Sequence, residues 1–271
     1  MSETAINKFY TTKVVWVELA KCVPSAINLN LYIYKLLTGG NIISKIKINI
    51  NIFLERIKLN MKKTDAINII EILKKAYPDA KCSLDFTTPF ELLIAVILSA
   101  QCTDERVNKT TPSLFSKYNT PKDFANIELA KLEELIHPCG FYKNKAKNIK
   151  ATSCILVQEY NSEVPKTMEE LMKLPGVGRK TANVVMLEAF NNPQGIAVDT
   201  HAKRLSNKIG LSKEVEPSKI ELDLLKLFPK EFYKDINHIF IYHGRNICTA
   251  RNPKCENCVI NMFCKNFSKN V

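Results

Sequence analysis

Four cysteines lie close together near the C-terminal end of the sequence, in the pattern C-x6-C-x2-C-x5-C. Thiolates at such short spacing are soft ligands that suit an iron–sulfur cluster or zinc. Zinc ribbons usually have two CxxC pairs, whereas this pattern has one, and the ferredoxin spacing with three short gaps is missing. The pattern therefore predicts a metal or cluster site with the ligands Cys248, Cys255, Cys258 and Cys264.

A second candidate for chemistry is a glycine-rich turn followed by a lysine. Residues 174–181 read LPGVGRKT, and the two glycines permit a tight turn between two helices. Such a turn leaves backbone N–H groups unpaired at the start of the second helix, where they can bind phosphate without reading base sequence. A plain helix–helix turn is the alternative. The predicted contacts are Gly176, Val177, Gly178 and Arg179.

Lys180 falls in the first turn of that second helix, where the helix dipole disfavours a cation. This position and the burial that we expect there favour a neutral amine, and a neutral amine is a nucleophile. A phosphate contact is the alternative role. Asp199, in AVDTH, is predicted to cap the next helix, which is a common role for aspartate. Beside an amine, its carboxylate could also take up a proton or stabilise a developing positive charge.

The composition restricts the class of protein. The chain has 271 residues, of which 46% are hydrophobic and 24% are charged, as in ordinary globular proteins. Its net charge of +12 favours a polyanionic partner, nucleic acid first and an anionic membrane second. Nine cysteines, an odd number, and no recognisable signal peptide argue against a disulfide scaffold. The sequence contains no run of 18 apolar residues, so no membrane-spanning helix is predicted.

From Met61 onward the sequence predicts helix after helix, and no two-residue alternation indicates a strand. Residues 88–91 (TPFE) form a capping box that opens LLIAVILSA, an all-apolar run typical of a buried helix. Residues 120–123 are predicted to begin a further helix that Gly140 ends, and residues 167–170 form another capping box. Further helices are predicted over residues 143–160, 199–210, 217–228 and 231–246.

The first 60 residues differ in composition from the rest. They are rich in Ile, Asn and Lys, and they hold eight Lys or Arg against three acidic residues, so they carry +5 of the net charge. We interpret them as an N-terminal extension that catalysis does not need, with Met61 as the working start. A targeting presequence is the rival interpretation, although the segment has a single arginine.

LPGVGRKTANVV followed by AVDTH resembles the helix–hairpin–helix, the Gly/Pro-rich loop and the aspartate of the endonuclease III superfamily of DNA glycosylases. In that family the lysine attacks C1′ of the damaged nucleotide and the aspartate assists departure of the base. The resemblance implies these roles for Lys180 and Asp199. The segment between them is one residue longer than we expect, around residues 191–195, where a loop is predicted.

The resemblance extends over residues 61–264. PFELLIAVILSAQCTD is similar to the family's buried helix and following loop, and implies that Gln101 fills the gap left by an extruded base. GFYKNKAKNI is similar to the loop that wedges the duplex apart, with Phe141 where the family often has leucine. A wedge must be apolar to replace lost base stacking, and phenylalanine meets that requirement. Ordinary core packing is the alternative for Phe141.

The cysteine spacing resembles the [4Fe-4S] site of endonuclease III and of its adenine-glycosylase relative, and so implies a [4Fe-4S] cluster. The loop between the first two cysteines contains Arg251 and Lys254, which we expect to contact DNA phosphates. The cluster is then a structural element that shapes this loop. The resemblance also implies an all-α fold of two helical domains. A six-helix domain with the helix–hairpin–helix would span residues 82–193, and an iron–sulfur cluster domain would combine residues 61–81 and 194–271.

The leading hypothesis is therefore a base-excision DNA glycosylase with AP lyase activity, which removes oxidised pyrimidines through a lysine imine and cleaves the strand 3′ to the abasic site. An adenine-mismatch glycosylase is one alternative, but that enzyme usually lacks the lysine. A non-catalytic DNA-binding module is the other, and it would lose Lys180 or Asp199. The expected partner is double-stranded DNA with damaged bases or abasic sites, bound by a monomer. The expected location is cytoplasmic and nucleoid-associated, or an organelle or nucleus if residues 1–60 are a targeting sequence.

Overall fold

The computed structural model describes residues 61–267. Contacts divide the chain into two units, Met1–Leu59 and Asn60–Val271, and everything described below belongs to the second. The predictions for residues 1–60 lie outside the described residues.

The described residues contain eleven α-helices and no β-strand, which confirms the predicted all-α fold. The helices are α1 (Lys63–Ala76), α2 (Pro89–Ser99), α3 (Asp104–Phe115), α4 (Pro121–Asn126), α5 (Leu129–Ile136), α6 (Tyr142–Glu159), α7 (Met168–Leu171), α8 (Arg179–Glu188), α9 (Thr200–Ile209), α10 (Pro217–Leu227) and α11 (Tyr233–Asn246). Short 3-10 turns occur at His137–Cys139, Lys230–Phe232, Cys255–Asn257 and Asn261–Phe263.

Threonine caps begin several helices where the sequence predicts them. The Thr120 side chain accepts from the Asp123 N–H and the Asp123 carboxylate accepts from the Thr120 N–H, so both halves of a capping box are present. The Thr88 side chain accepts from the Glu91 N–H at 3.1 Å. The Glu91 carboxylate bonds to the residue before the cap, accepting from the Thr87 N–H at 2.7 Å, so this box is incomplete.

One predicted helix is wrong in its extent. The sequence indicates a continuous helix from Thr120 to Gly140, but the structure has two short helices, α4 and α5. Ile127 and Glu128 adopt extended backbone angles between them, and Glu128 then becomes the N-cap of α5. Gly140, with φ of +64°, ends the following 3-10 turn, in line with its expected role as a stop.

Two hydrophobic cores organise these helices. The first contains buried side chains between Leu84 and Met186, with α2 at its centre. Nine of the eleven residues of α2 are buried, as the all-apolar run predicts. The second core combines α1 with residues from Ile196 to Ile260, so the helix that begins the described chain packs with the last ones. The functional residues lie where the two cores meet and beside the second core.

Candidate active site and cysteine centre

A cavity of about 970 Å³ brings together three of the predicted functional residues, Lys180, Asp199 and Gln101. Its apolar wall includes Val96 from the first core and Val198 from the second. Gln101 and Asp199, which are 98 positions apart in sequence, therefore share one concave surface. A cavity with a few polar groups on an apolar wall is the usual form of a ligand site.

Lys180 is the second residue of α8, whose N-cap is Gly178. Gly178 has no side chain to cap the helix, so the first-turn N–H groups stay available to an anion. The Lys180 side chain is exposed on the cavity wall, and the expected burial of this amine is wrong. The turn before it is open as well, since a Cβ at Gly178 would meet nothing within 4 Å.

The hairpin itself needs one of its two glycines for its shape. Gly176 has φ of +80°, and a Cβ there would lie 3.0 Å from Cβ of Asn148. Gly178 has φ of −90°, and a Cβ would meet nothing within 4 Å, so this position faces open space. The N–H of Val177 donates to the Leu174 carbonyl at 3.0 Å, and its side chain is buried. Val177 can therefore contribute to a phosphate site only by shaping the turn.

A buried carboxylate holds α8 in place. Glu221 of α10 accepts from the Arg179 guanidinium and from Asn183 Nδ2 at 2.9 Å. It also accepts from the backbone N–H of Ile196 at 3.3 Å. The bond to Glu221 raises the pKa of Arg179 above its ordinary value. Arg179, predicted as a DNA contact, thus anchors the Lys180 helix to the second core, while its side chain remains half exposed.

Gly195 lies against this anchor, and its substitution provides a stability test. A Cβ at Gly195 would collide with Glu221 Oε1 and lie 2.7 Å from Asn183 Oδ1. We expect Gly195→Ala to destabilise the protein by about 1–3 kcal/mol, because the buried carboxylate must move away from its donors. Chemical denaturation measures the change, with Gly178→Ala as the control at a position with open space. Equal stability of both variants would contradict the anchoring role of Glu221.

Asp199 caps α9, as predicted, with Oδ1 accepting from the Ala202 N–H at 2.7 Å. Its side chain is half-buried and lines the cavity together with Lys180. His201 is not among the residues that line the cavity, and its Nδ1 lies 3.1 Å from Arg204 Nη2. His201 therefore contacts the body of its own helix α9 and does not line the cavity.

The two residues predicted to enter the duplex share an unusual backbone. Gln101 has φ of 53° and Phe141 has φ of 45°, the left-handed region that non-glycine residues seldom adopt. Gln101 lies on the cavity rim just after α2, and Phe141 is 68% exposed as the N-cap of α6. Such an exposed aromatic ring excludes the alternative of core packing for Phe141. Strained residues of this kind persist where surrounding structure holds them, often at functional sites.

Lys145 joins the segments before both of these residues, and no motif in the sequence indicates this role. Its buried amine donates to the Leu98 carbonyl at 2.8 Å and to the Cys139 carbonyl at 2.7 Å. Leu98 lies three residues before Gln101, and Cys139 lies two residues before Phe141. Burial lowers the pKa of Lys145, yet both carbonyls solvate the amine. One side chain thus fixes the spacing between the two left-handed residues.

The four cysteines line one cavity beside the second core, as predicted for a common centre. Within residues 61–267, no group of three or more His, Cys, Asp or Glu side chains converges closely enough to hold a single metal ion. Zinc needs its ligands about 2.3 Å from one point. Four thiols around a cavity, and not around a point, fit a cluster of several iron atoms better than zinc.

Further contacts tie this centre to its surroundings. His243 lies 3.4 Å through Nε2 from the Cys258 sulfur and 3.0 Å through Nδ1 from the Tyr77 hydroxyl. Burial lowers the pKa of His243 to about 4, so its ring is neutral at neutral pH. The Arg204 guanidinium donates to the Cys248 carbonyl at 3.0 Å. Such contacts outside the ligand set orient the ligands of metal centres.

The surface of this centre is basic. Arg251 and Lys254, predicted to contact DNA, are both exposed in the loop between the first two cysteines. Two further cations line the large cavity, namely Arg245, which precedes the basic loop in sequence, and Lys203, which no sequence motif indicated. Arg245 Nη2 lies 3.5 Å from the Asp104 carboxylate, across the start of α3. Lys203 falls four residues after Asp199, a helical spacing that could have suggested it.

Comparison with known protein families gives a match for the helical region and another for the cysteine segment. Residues 94–230 match the family described as HhH-GPD superfamily base excision DNA repair protein. Residues 248–264, from the first predicted cysteine ligand to the last, match the iron-sulfur binding domain of endonuclease III. The fold and site thus define a helix–hairpin–helix protein of base excision repair.

The relatives narrow this class. Endonuclease III of Synechocystis is 52% identical over 207 residues, which cover 76% of this chain and 94% of that protein. Endonuclease III of Escherichia coli K12 is 43% identical over 205 residues, which cover 76% and 97%. The chain belongs to the endonuclease III family.

Solved structures agree with the sequence relatives. A non-covalent endonuclease III–DNA complex superposes with a TM-score of 0.74 at 45% identity, covering 78% of this chain and 98% of that one. A trapped endonuclease III–DNA covalent intermediate gives the same TM-score and identity. The chain is accordingly a DNA glycosylase and AP lyase that carries a [4Fe-4S] cluster and acts on DNA. No helix in the described part of the chain is long and apolar enough to cross a membrane.

Proposed function

We propose that this chain excises oxidised pyrimidines from duplex DNA with Lys180 as the nucleophile. The observation that carries the proposal is the shared cavity, which is lined by Lys180 from the first turn of α8 and by Asp199, the N-cap of α9. The trapped covalent intermediate of the related protein supports a covalent route. The proposed lesion class rests on the family to which the chain belongs.

The chemistry proceeds in two stages. The Lys180 amine attacks C1′, the bond from C1′ to the base breaks, and the base leaves with its electron pair and takes up a proton. The sugar ring opens to a protonated imine between Lys180 and C1′. Loss of a C2′ proton then expels the 3′ phosphate, and water releases the lysine. Asp199 stabilises positive charge on the sugar as the base departs and accepts a proton afterwards.

The remaining residues hold the DNA. Backbone N–H groups of the hairpin, at Gly176, Gly178 and Arg179, bind a phosphate without reading sequence. Gln101 occupies the gap left by the extruded nucleotide, and Phe141 replaces its stacking on the neighbouring pair. The basic loop of the cysteine centre binds further phosphates, through Arg251 and Lys254. When bound, the cluster keeps this loop in shape.

We also propose the two-domain division into residues 82–193 and residues 61–81 with 194–271. The two hydrophobic cores support it, since the chain passes from the first core to the second between Met186 and Ile196. We further propose that the enzyme works as a monomer on bacterial-type nucleoid DNA.

Borohydride trapping on a duplex with thymine glycol or an abasic site tests the function. No trapped complex and no strand cleavage on either duplex would reject it.

Asp199 can be tested apart from its capping role. Asparagine caps helices about as well as aspartate, so Asp199→Asn should leave the melting temperature within about 2 °C of the wild type. The negative charge beside the sugar is lost, so single-turnover base excision should slow by at least about a hundredfold. The measurement is excision of thymine glycol with enzyme in excess. An unchanged rate would leave Asp199 as a helix cap alone.

A further inference from the structure

Helix α8 carries three residues at helical spacing, of which Lys180 and Val184 line the cavity. Lys180, Val184 and Glu188 are four residues apart, so they lie along one face of the helix. Each step of four residues advances about 6 Å along the helix. Lys180 is exposed, Val184 is half-buried, and the Glu188 side chain is only 17% exposed. The face therefore leads from the open side of the cavity into the protein.

At the inner end of this face, Glu188 pairs with a histidine of α11. His238 Nε2 lies 2.7 Å from Glu188 Oε1, and the His238 side chain is 12% exposed. His238 lines the same cavity as Lys180 and Asp199. The next residue toward the N-terminus, Asn237, donates to the Ala197 carbonyl at 2.7 Å, two residues before Asp199. This bond fixes α11 beside the segment that carries the aspartate.

The pairing determines which ring nitrogen of His238 remains for a ligand. A carboxylate can only accept a hydrogen bond, so the proton between the two groups belongs to Nε2. In a neutral imidazole the other nitrogen, Nδ1, is then an acceptor. Within the described residues, Nδ1 of His238 has no hydrogen-bond partner. It is also not among the side-chain atoms that are buried without a partner, so it is not closed off from the cavity. Nδ1 is therefore available to a molecule in the cavity.

We propose that His238 is a specificity-determining residue that accepts a hydrogen bond from the ring N–H of the extruded base, and that Glu188 positions it. The inference rests on the proposed function, because it requires the base to enter the cavity that Lys180 lines. Because Lys180, Val184 and His238 line one cavity, we infer that a nucleotide whose C1′ lies at Lys180 extends its base along the α8 face, past Val184. The far edge of the ring then meets the His238–Glu188 pair.

The chemistry of this edge separates two kinds of damaged pyrimidine. Bases derived from thymine or uracil carry an N–H at ring position 3, which is a donor to an imidazole acceptor. Bases derived from cytosine carry a bare nitrogen there, which is an acceptor and would face the acceptor Nδ1. Unpaired polar groups in a partly buried site reduce binding, so the pair should favour thymine-derived lesions.

Other charged groups line the same cavity, so the role of His238 must be distinguished from a general change of charge there. Besides His238, the titratable side chains on its wall are Cys82, Cys102, Asp104, Glu105, Lys180, Asp199, Lys203 and Arg245. None of them has a hydrogen bond to His238, whose ring bonds to Glu188 alone among the described residues. Removing the ring should therefore change base selection without altering another bonded pair.

The test compares His238→Phe, Glu188→Gln and a control, Glu159→Gln, on three duplexes. Glu159 is an exposed carboxylate at the end of α6, outside the cavity. The duplexes carry thymine glycol, 5-hydroxycytosine or an abasic site, and single-turnover rates are measured on each. Relative to abasic cleavage, His238→Phe should lower excision of thymine glycol about tenfold and that of 5-hydroxycytosine by about threefold or less.

The other variants and outcomes distinguish base recognition by His238 from a role in the fold alone. Glu188→Gln should change the preference between the two lesions in the same direction by about threefold, because it loosens the imidazole without removing it. The Glu159→Gln control should match the wild type. Equal losses on all three duplexes would show that His238 only supports the fold. A greater loss on 5-hydroxycytosine would make Nδ1 a donor and overturn the proposal. A wild-type enzyme that cleaves no abasic duplex would instead reject the proposed function.

Discussion

Replacing Lys180 with glutamine should abolish both borohydride trapping and strand cleavage, with a loss of at least about a thousandfold. A carboxamide cannot form an imine with C1′, and no second amine is placed at the start of α8. The variant should still bind a duplex with a tetrahydrofuran abasic analogue, because the hairpin N–H groups and the basic loop are unchanged. Trapped complex is measured on denaturing gels and binding by fluorescence anisotropy.

Lys173→Gln is the matched control for this experiment. Lys173 is an exposed lysine just before the hairpin, so the control removes the same charge from the same region without touching the cavity. It should trap as the wild type does, with at most a weaker salt dependence of binding. Trapping by the Lys180 variant at a wild-type rate would show that another amine is the nucleophile.

Cys258→Ser should remove the cluster and the shape of the loop that it holds. The wild-type protein should be yellow-brown with about four iron atoms and four sulfides per chain, and the variant colourless. Ligand binding energy is folding energy in such centres, so the melting temperature should fall by about 10 °C or more. Iron and sulfide assays, the visible spectrum and thermal unfolding measure these changes.

Cys154→Ser provides the control for the cysteine experiment. Cys154 lies in α6, away from the cavity that the four predicted ligands share. Its replacement should leave the iron content and colour unchanged. A wild-type protein that holds one zinc ion and no sulfide would contradict the cluster, and so would full iron content in the Cys258 variant.

Local patterns in the sequence predict local features well. The Thr120 cap and the Asp199 cap depend on residues three positions away, and the structure contains both. The cysteine ligands also lie within one short segment, so their spacing alone predicts a common centre. The all-apolar run predicts the buried helix α2 because burial on every side leaves no polar face.

Contacts between distant residues could not be predicted in the same way. Arg179 bonds to Glu221 across 42 positions, Glu188 to His238 across 50, and Tyr77 to His243 across 166. Nothing in the spacing of single residues encodes which carboxylate meets which cation after the cores assemble. The exposed position of Lys180 was missed for a related reason, because burial depends on which neighbours cover a turn.

The left-handed backbones of Gln101 and Phe141 also have no signal in the sequence. Neither residue is Gly, Asn or Asp, the types that commonly adopt this conformation. The Lys145 amine bonds to carbonyl groups in the segments before both of them, which ties the two segments together. Backbone propensity describes one residue at a time, whereas this arrangement brings together the segments that contain Gln101, Phe141 and Lys145.

The bond between Arg204 and the Cys248 carbonyl connects the cysteine centre to the large cavity. Arg204 lies in α9, the helix that Asp199 caps, so the backbone of the first cysteine is bonded to the same helix that carries the aspartate at its start. A chain made under iron starvation would lack the cluster that fixes Cys248, and the helix under Asp199 would lose a fixed point of attachment. Loss of the cluster would therefore weaken the support of the aspartate as well as the shape of the basic loop.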